Sequence, residues 1–202
     1  MFKVKKICNG PVRTNTYLVG DEQCYIIDPS DEAKNVDAVL QANFKGCKAI
    51  LLTHAHFDHV GGVDYFANKY HCPVYLDLVD AELLNKEHCD QYAFSEYFRE
   101  VKSPLNDIYR LEDKNIIIYP TSGHTLGSVI ILFKNEGVLF TGDTLFKGSI
   151  GRTDLPFSST KKMKESLKFI KTLNKDLIVY PGHGPSSTLN DEFLNNDYLK
   201  FI

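Results

Sequence analysis

Three histidines and one aspartate stand within the segment Thr53–His59, THAHFDH, directly after the apolar run Ala49–Leu52. Imidazoles and a carboxylate crowded into one turn gain little from packing, but a divalent metal ion stabilises them all by accepting their lone pairs. The segment therefore indicates a metal site, with a metal-free acid–base cluster as the alternative. His54 and His56 are two positions apart, so in an extended segment both project to the same side and can hold one ion.

Three further turns carry the partners that such a site needs. Three more predicted strands run into the sequences PTSGHT, TGDT and PGHG, which contain His124, Asp143 and His183. Loops at strand ends are where a rigid sheet can direct functional side chains to one place. We therefore expect these three side chains to converge with those of THAHFDH.

The donors divide into two sets and one bridge. Three imidazoles, the ligand set of a catalytic zinc, would hold the first ion: His54, His56 and His124. A carboxylate and two imidazoles would face the second ion: Asp58, His59 and His183. A carboxylate can bridge two metals, which is the role expected of Asp143. Such ions lie about 3.5–4 Å apart, and ligands without cysteine favour zinc, with iron or manganese as alternatives.

Composition excludes several other classes of protein. The chain has 202 residues, which favours one domain over 1–202, and its net charge of −3 gives no support for nucleic-acid binding. It has neither the apolar h-region of a signal peptide nor a run long enough to cross a bilayer. Its five cysteines form no C-x-x-C. We expect reduced thiols, a cytoplasmic protein and a small-molecule substrate; the oligomeric state is not indicated.

Hydrophobic periodicity predicts an alternation of strands and helices. The predicted strands are Phe2–Ile7, Thr16–Val19, Cys24–Ile27, Ala49–Leu52, Val74–Leu76, Ile116–Tyr119, Val129–Phe133, Val138–Phe140 and Leu177–Tyr180. The predicted helices are Asn35–Phe44, Gly62–Tyr70, a region within Val79–Val101, Thr160–Leu173 and Leu189–Tyr198, the last with a capping residue at Thr188. The class is therefore mixed α/β.

The segments IIDPS, THAHFDH, SGHTLGS, FTGDTLF and YPGHGP, which span most of the chain, resemble the metallo-β-lactamase superfamily. This resemblance implies a four-layer αββα sandwich with a binuclear site at one edge of the sheets. It implies the same two ligand sets bridged by Asp143. It also implies that Asp28, in IIDPS, is an outer acid that orients a ligand.

Within the superfamily, FTGDTLFKGSIGRTDLP is similar to the glyoxalase II-like branch, the hydroxyacylglutathione hydrolases, in a short single-domain form. This implies hydrolysis of a thioester of the S-lactoylglutathione type by metal-activated hydroxide, with Asp58 as the catalytic residue that orients the hydroxide or takes its proton. Only 17 residues follow YPGHGP, so we expect no C-terminal glutathione-binding domain. The alternatives are a mononuclear-iron persulfide dioxygenase, which GRTD also resembles, a hydrolase of another ester or lactone, and a non-enzymatic metal-bound scaffold.

Two features bear on the substrate. Arg152 of GRTD could pair with a substrate carboxylate or form an ion pair with Asp154. The aromatic residues of QYAFSEYF could cover the substrate pocket or pack in a helical core: Tyr92, Phe94, Tyr97 and Phe98.

Overall fold

The computed structural model describes residues 1–84 and 100–202. The chain divides into two compact units, Met1–Leu111 and Glu112–Ile202. The single domain over 1–202 stays a prediction. The aromatic segment Tyr92 to Phe98, for which a pocket cover and a helical core were the two alternatives, lies outside the described residues.

The first unit contains a six-stranded sheet with the strand order β1-β2-β3-β4-β5-β6. Its strands are β1 (Lys3–Asn9), β2 (Thr14–Gly20), β3 (Gln23–Ile27), β4 (Gly46–Leu51), β5 (Val74–Leu76) and β6 (Leu105–Asp107). The pairs β1–β2 and β2–β3 are antiparallel, whereas β3 to β6 run parallel. Its helices are α1 (Ala33–Asn43), α2 (Phe57–Val60) and α3 (Val63–Tyr70), with 3-10 helices at Leu78–Leu84 and Ile108–Arg110.

Parallel pairing of β3 and β4 brings the residues after each strand to one edge of this sheet. Ile27 pairs with Leu51, and the Asp28 backbone N–H donates to the Leu51 carbonyl at 3.1 Å. Asp28 has a φ of 50°, in the left-handed region that aspartate tolerates better than most residues. The chain therefore turns sharply at Asp28, beside the start of THAHFDH.

Helix α3, which follows THAHFDH, is tied to α1 by the buried carboxylate of Asp37. That carboxylate accepts hydrogen bonds from the hydroxyls of Tyr65 (3.1 Å) and Tyr70 (2.5 Å) and pairs with Lys69. Burial acts to raise the pKa of Asp37, but the hydrogen bonds from Lys69, Tyr70 and Tyr65 outweigh burial and hold this pKa below its usual value. The ionised carboxylate of Asp37 thus holds α3, the helix that follows THAHFDH, against α1.

The second unit contains a five-stranded sheet with the order β13-β12-β9-β8-β7 and a separate β10–β11 hairpin. Its strands are β7 (Ile116–Pro120), β8 (Val129–Phe133), β9 (Val138–Gly142), β10 (Leu145–Phe146), β11 (Ser149–Ile150), β12 (Ile178–Pro181) and β13 (Ser187–Thr188). Its helices are α4 (Thr160–Ile170), α5 (Leu189–Asn195) and α6 (Asp197–Lys200). Strands β9 and β12 are parallel, and Gly142 pairs with Pro181. Asp143 and His183, which follow these two strands, therefore lie at the same edge of this sheet.

Apolar side chains on one face of α4 form a core with side chains of the sheet in this unit. Met163, Leu167 and Ile170 of α4 share this buried cluster with Leu139 and Val179. Ser159 caps α4 by accepting a hydrogen bond from the Lys162 backbone N–H at 3.3 Å.

Two differences from the predicted elements have simple causes. The single helix predicted over Leu189–Tyr198 is wrong, because the chain breaks at Asn196, whose side chain accepts from the Tyr198 N–H at 3.1 Å and starts α6. The cap at Thr188 is confirmed by its 3.1 Å hydrogen bond from the Asp191 N–H. Strands β6, β10, β11 and β13, of two or three residues, are too short to show an alternating pattern. Of the region Val79–Val101, the part up to Leu84 is a 3-10 helix and residues 85–99 are not described.

Candidate metal centre

In the first unit the donors of THAHFDH lie in a buried cluster. His54 and His56 follow β4 without regular backbone structure, and Asp58 and His59 lie on the one-turn helix α2. All four side chains are buried. Together with Asp28, His54 and His59 offer ligand atoms within 4.8 Å of one another.

Asp28 orients two of these histidines, one directly and one through a threonine. Its Oδ2 accepts from His59 Nδ1 at 2.9 Å and from the Thr53 hydroxyl at 2.7 Å, and its Oδ1 accepts from the Thr53 backbone N–H at 2.8 Å. Because the Thr53 hydroxyl donates to Asp28, its oxygen accepts from His54 Nδ1, 3.1 Å away. In the neutral form, each imidazole therefore carries its proton on Nδ1 and presents a lone pair at Nε2.

Two further groups hold the ligand segment in place. The hydroxyl of Thr14, buried at the start of β2, donates to Asp58 Oδ2 at 2.5 Å. The carboxylate of Asp80, also buried, accepts from the Ala55 backbone N–H at 3.2 Å. The segment is thus held through a side chain at Asp58 and through the backbone at Ala55.

In the second unit Asp143 lies beside both candidate histidines. Its Oδ2 is 3.4 Å from His124 Nε2 and 3.4 Å from His183 Nε2. His124 Nδ1 donates to the backbone carbonyl of Arg152 at 2.9 Å. This bond leaves the lone pair of His124 on Nε2, on the side of the carboxylate.

The loop that supplies the Arg152 carbonyl allows no side chain at Gly151. A Cβ at this position would overlap the backbone carbonyl oxygen of Asp143 and would lie 3.1 Å from His124 Nδ1. Glycine is therefore required for the loop to approach both residues.

The preceding β10–β11 hairpin is fixed by two buried polar residues of the C-terminal region. Glu192 accepts from the Gly148 N–H at 2.8 Å and from the Asn196 amide at 2.9 Å. The same Asn196 amide donates to the carbonyls of Phe146 (3.3 Å) and Ser149 (3.0 Å). These bonds set the position of the strand pair that leads into Gly151.

The Arg152 side chain forms the ion pair that was one of its two predicted roles. Its guanidinium donates two hydrogen bonds to Asp154, at 2.7 and 2.9 Å, and both side chains are exposed. The guanidinium hydrogen bonds hold the pKa of the Asp154 carboxyl below its usual value. A contact of Arg152 with substrate stays a prediction.

The donors of each unit fit a divalent metal ion. His59 Nε2 carries a lone pair and lies 3.3 Å from Asp58 Oδ2, and His124 Nε2 is in the same situation with Asp143. A neutral imidazole with its proton on Nδ1 and a carboxylate at this distance can both donate a lone pair to one cation.

Several contributing groups have no recognisable signal in the sequence. No sequence pattern distinguishes the supporting roles of Thr14 and Thr53 from those of other threonines. Asp80 stands 21 residues beyond the last residue of THAHFDH, so the sequence does not link it to that segment. The role of the Arg152 carbonyl is independent of the side chain at that position. Only the adjacent glycines and the GRTD motif mark this loop in the sequence.

Comparison with known proteins assigns the family. A family model described as the metallo-beta-lactamase superfamily matches residues 9–183, so the chain belongs to this superfamily. The chain is 32% identical to a probable metallo-hydrolase of Bacillus subtilis, with 98% of each chain covered. It is 29% identical to the hydroxyacylglutathione hydrolase GloC of Haemophilus influenzae, with 92% of each chain covered.

Solved structures agree with this assignment. The di-iron-bound form of the protein TTHA1623 superposes with a TM-score of 0.88 at 34% identity and covers 96% of this chain and 100% of its own. The BLEG-1 B3 metallo-β-lactamase gives a TM-score of 0.88 at 32% identity, with 98% of this chain and 99% of its own covered. The predicted fold class, α/β of the metallo-β-lactamase type, is confirmed. Among the described residues, no helix is long and apolar enough to span a membrane.

Proposed function

We propose that the chain is a metal-dependent hydrolase with a binuclear site. The first ion would be held by three imidazoles: His54, His56 and His124. The second would be held by Asp58, His59 and His183, with Asp143 bridging. Zinc is the proposed metal, with iron or manganese as alternatives.

One observation carries this proposal. In each unit an imidazole Nε2 with a lone pair lies 3.3 or 3.4 Å from a carboxylate oxygen, and its Nδ1 is fixed by a second protein oxygen. Metal-ligating histidines are characteristically oriented in this way. Membership of the superfamily, the metallo-hydrolase name of the Bacillus subtilis relative and the di-iron form of TTHA1623 support the same function.

The chemistry follows from the donor set. When bound, divalent ions would lower the pKa of water to near neutral and polarise a substrate carbonyl. Asp58 would orient the attacking water and take its proton. The Thr14 hydroxyl, which donates to Asp58 Oδ2, would hold the carboxylate in one orientation for this role. Asp28 would keep His59 and His54 in the tautomer that presents Nε2.

The proposed substrate is a thioester of the hydroxyacylglutathione type. A thiolate leaves readily without a strong general acid, and the described ligands include none. The relative of Haemophilus influenzae named as a hydroxyacylglutathione hydrolase aligns over 92% of its own length and 92% of this chain. An activity on glutathione thioesters is therefore compatible with a chain of this size.

The test is release of free thiol from S-lactoylglutathione by the zinc-, iron- and manganese-loaded protein. A lactone and a β-lactam serve as competing substrates, the latter because of the likeness to BLEG-1. We expect thioester turnover, and His54→Ala should reduce it by more than about 100-fold. His71→Asn is the matched control, because His71 is exposed and asparagine tolerates its left-handed backbone.

Two results would overturn this function. The first is turnover of the lactone or the β-lactam without turnover of the thioester. The second is one bound iron per chain together with oxygen consumption on a glutathione persulfide, which would indicate the dioxygenase. Elemental analysis should instead find two metal ions per chain, and fewer in His54→Ala and His183→Ala.

A further inference from the structure

Asp80 is a buried acid beside the ligand segment. It lies in the 3-10 helix Leu78–Leu84 and is 1% exposed. Its Oδ2 accepts from the backbone N–H of Ala55 at 3.2 Å. Ala55 stands between His54 and His56, so this carboxylate contacts the peptide that joins two candidate ligands of one ion.

The contact matters because this part of the chain has no regular backbone pairing. Strand β4 ends at Leu51 and α2 begins at Phe57, so residues 54–56 lie between two regular elements. Ala55 is fully buried, and a buried backbone N–H needs an acceptor. Asp80 supplies that acceptor from a different element of the first unit.

A buried carboxylate is an expensive acceptor for this purpose. Burial of an ionised group costs several kcal/mol unless hydrogen bonds or a nearby cation compensate. A neutral acceptor, such as an asparagine carbonyl, would satisfy the Ala55 N–H at lower cost. A negative charge at this point would also attract a divalent cation held by the adjacent imidazoles.

We propose that Asp80 is a positioning residue for the first metal ion. This role rests on the metal site of the proposed function. Its hydrogen bond to Ala55 sets the backbone between His54 and His56, and hence the separation of their two imidazoles. Its charge raises the affinity of these neutral ligands for a divalent cation. Neither Asp28 nor Thr14, which contact other residues of the segment, supplies this contact.

The experiment uses cobalt(II) as the probe, because its visible spectrum reports ligand geometry independently of turnover. Asp80→Ala removes both the hydrogen bond and the charge, whereas Asp80→Asn keeps an acceptor oxygen and removes the charge. We expect cobalt affinity, measured by chelator competition, to fall about 100-fold in Asp80→Ala and about 10-fold in Asp80→Asn. The spectrum should change in Asp80→Ala and stay like the wild type in Asp80→Asn.

Asp77→Ala is the matched control in the same part of the chain. Asp77 accepts from the Val79 N–H at 3.0 Å and the Tyr109 hydroxyl at 3.1 Å, and neither contact involves the ligand segment. Its cobalt affinity should equal that of the wild type. An equal loss in Asp77→Ala and Asp80→Ala would overturn the proposal, because the effect would then be general to this region.

The role of Asp80 in metal binding can be tested separately from its effect on folding and from turnover of the substrate. If Asp80→Ala fails to fold, Asp80→Asn decides: a 10-fold loss of affinity supports the role of the charge, and wild-type affinity rejects it. Turnover is not part of the readout. A wild-type protein that binds cobalt but leaves every thioester intact would refute the substrate proposed above and leave the role of Asp80 standing.

Discussion

His59 in the first unit and His124 in the second are oriented by two different kinds of acceptor. Each donates from Nδ1 over 2.9 Å, His59 to the carboxylate of Asp28 and His124 to the backbone carbonyl of Arg152. A carboxylate acceptor depends on the identity of one side chain. A carbonyl acceptor depends on the path of a loop, whichever side chain stands at that position.

The support behind each acceptor differs in the same way. Asp28 is held by side-chain and backbone donors of Thr53, next to the ligands themselves. The Arg152 carbonyl depends on the close approach of Gly151 and on the hairpin fixed by Glu192 and Asn196. Metal binding in the first unit should therefore be most sensitive to replacement of polar side chains near the ligands. Metal binding in the second unit should be most sensitive to changes of backbone shape farther along the chain.

The largest effect is expected from Asp28→Asn. Asparagine tolerates the left-handed backbone, but its amide nitrogen cannot accept the hydrogen bonds that Asp28 accepts. Breaking this buried network should cost about 3 kcal/mol in the free energy of unfolding and about 100-fold in metal affinity. Urea denaturation and chelator competition measure the two effects. Asp21→Asn, at an exposed carboxylate, should change neither, and full retention of metal by Asp28→Asn would refute the role given to Asp28.

Gly151→Ala tests the second kind of support. The added methyl must displace the Asp143 carbonyl or the loop itself, and this should cost about 2 kcal/mol in the free energy of unfolding and about 10-fold in metal affinity. The same two measurements apply. Gly46→Ala is the control, because its Cβ would meet nothing nearer than the Gln23 side chain at 3.8 Å. Unchanged metal binding in Gly151→Ala would show that His124 does not depend on this loop.

Thr14→Val should have a smaller effect. Valine keeps the volume of the buried threonine but cannot donate to Asp58, which should cost about 1.5 kcal/mol in stability. If Asp58 is the proton acceptor, kcat on the thioester should fall about 10-fold with little change in KM. Thr172→Val, at an exposed threonine, is the control. A variant with unchanged kcat would mean that the orientation of Asp58 is set without the hydroxyl.

The smallest effect on the metal site is expected from Arg152→Ala. The carbonyl that orients His124 remains, so metal content and melting temperature should match those of the wild type. Asp154→Asn breaks the same exposed ion pair and serves as the paired variant. A higher KM in Arg152→Ala alone would favour a substrate contact of Arg152. Loss of metal in Arg152→Ala would contradict the distinction between carbonyl and side-chain support.

The sequence predicts the donors of the site better than their supports. His54, Asp143 and the other candidate ligands stand in short motifs at strand ends, because a metal requires particular residue types at a sheet edge. Asp28 is found through resemblance to the superfamily. Thr14, Asp80 and Glu192 are distant in sequence from the residues that they contact, so only the fold identifies them.

The same reason explains the errors in the elements. The cap at Thr188 follows from local chemistry and is correct, whereas the break at Asn196 is not visible in the apolar pattern. The Asn196 amide bonds to residues 47 and 50 positions earlier in the chain. Tertiary hydrogen bonds of this kind override local helical periodicity.

The bonds of Glu192 and Asn196 also determine how the second unit can open. Because the Gly148 amide donates to the Glu192 side chain of α5, this proton exchanges for deuterium only when the bond between the hairpin and the helix breaks. The hairpin and the C-terminal helices should therefore open as one cooperative unit, with a single free energy of opening. Any process that loosens the C-terminal helices would release the loop at Gly151 at the same time.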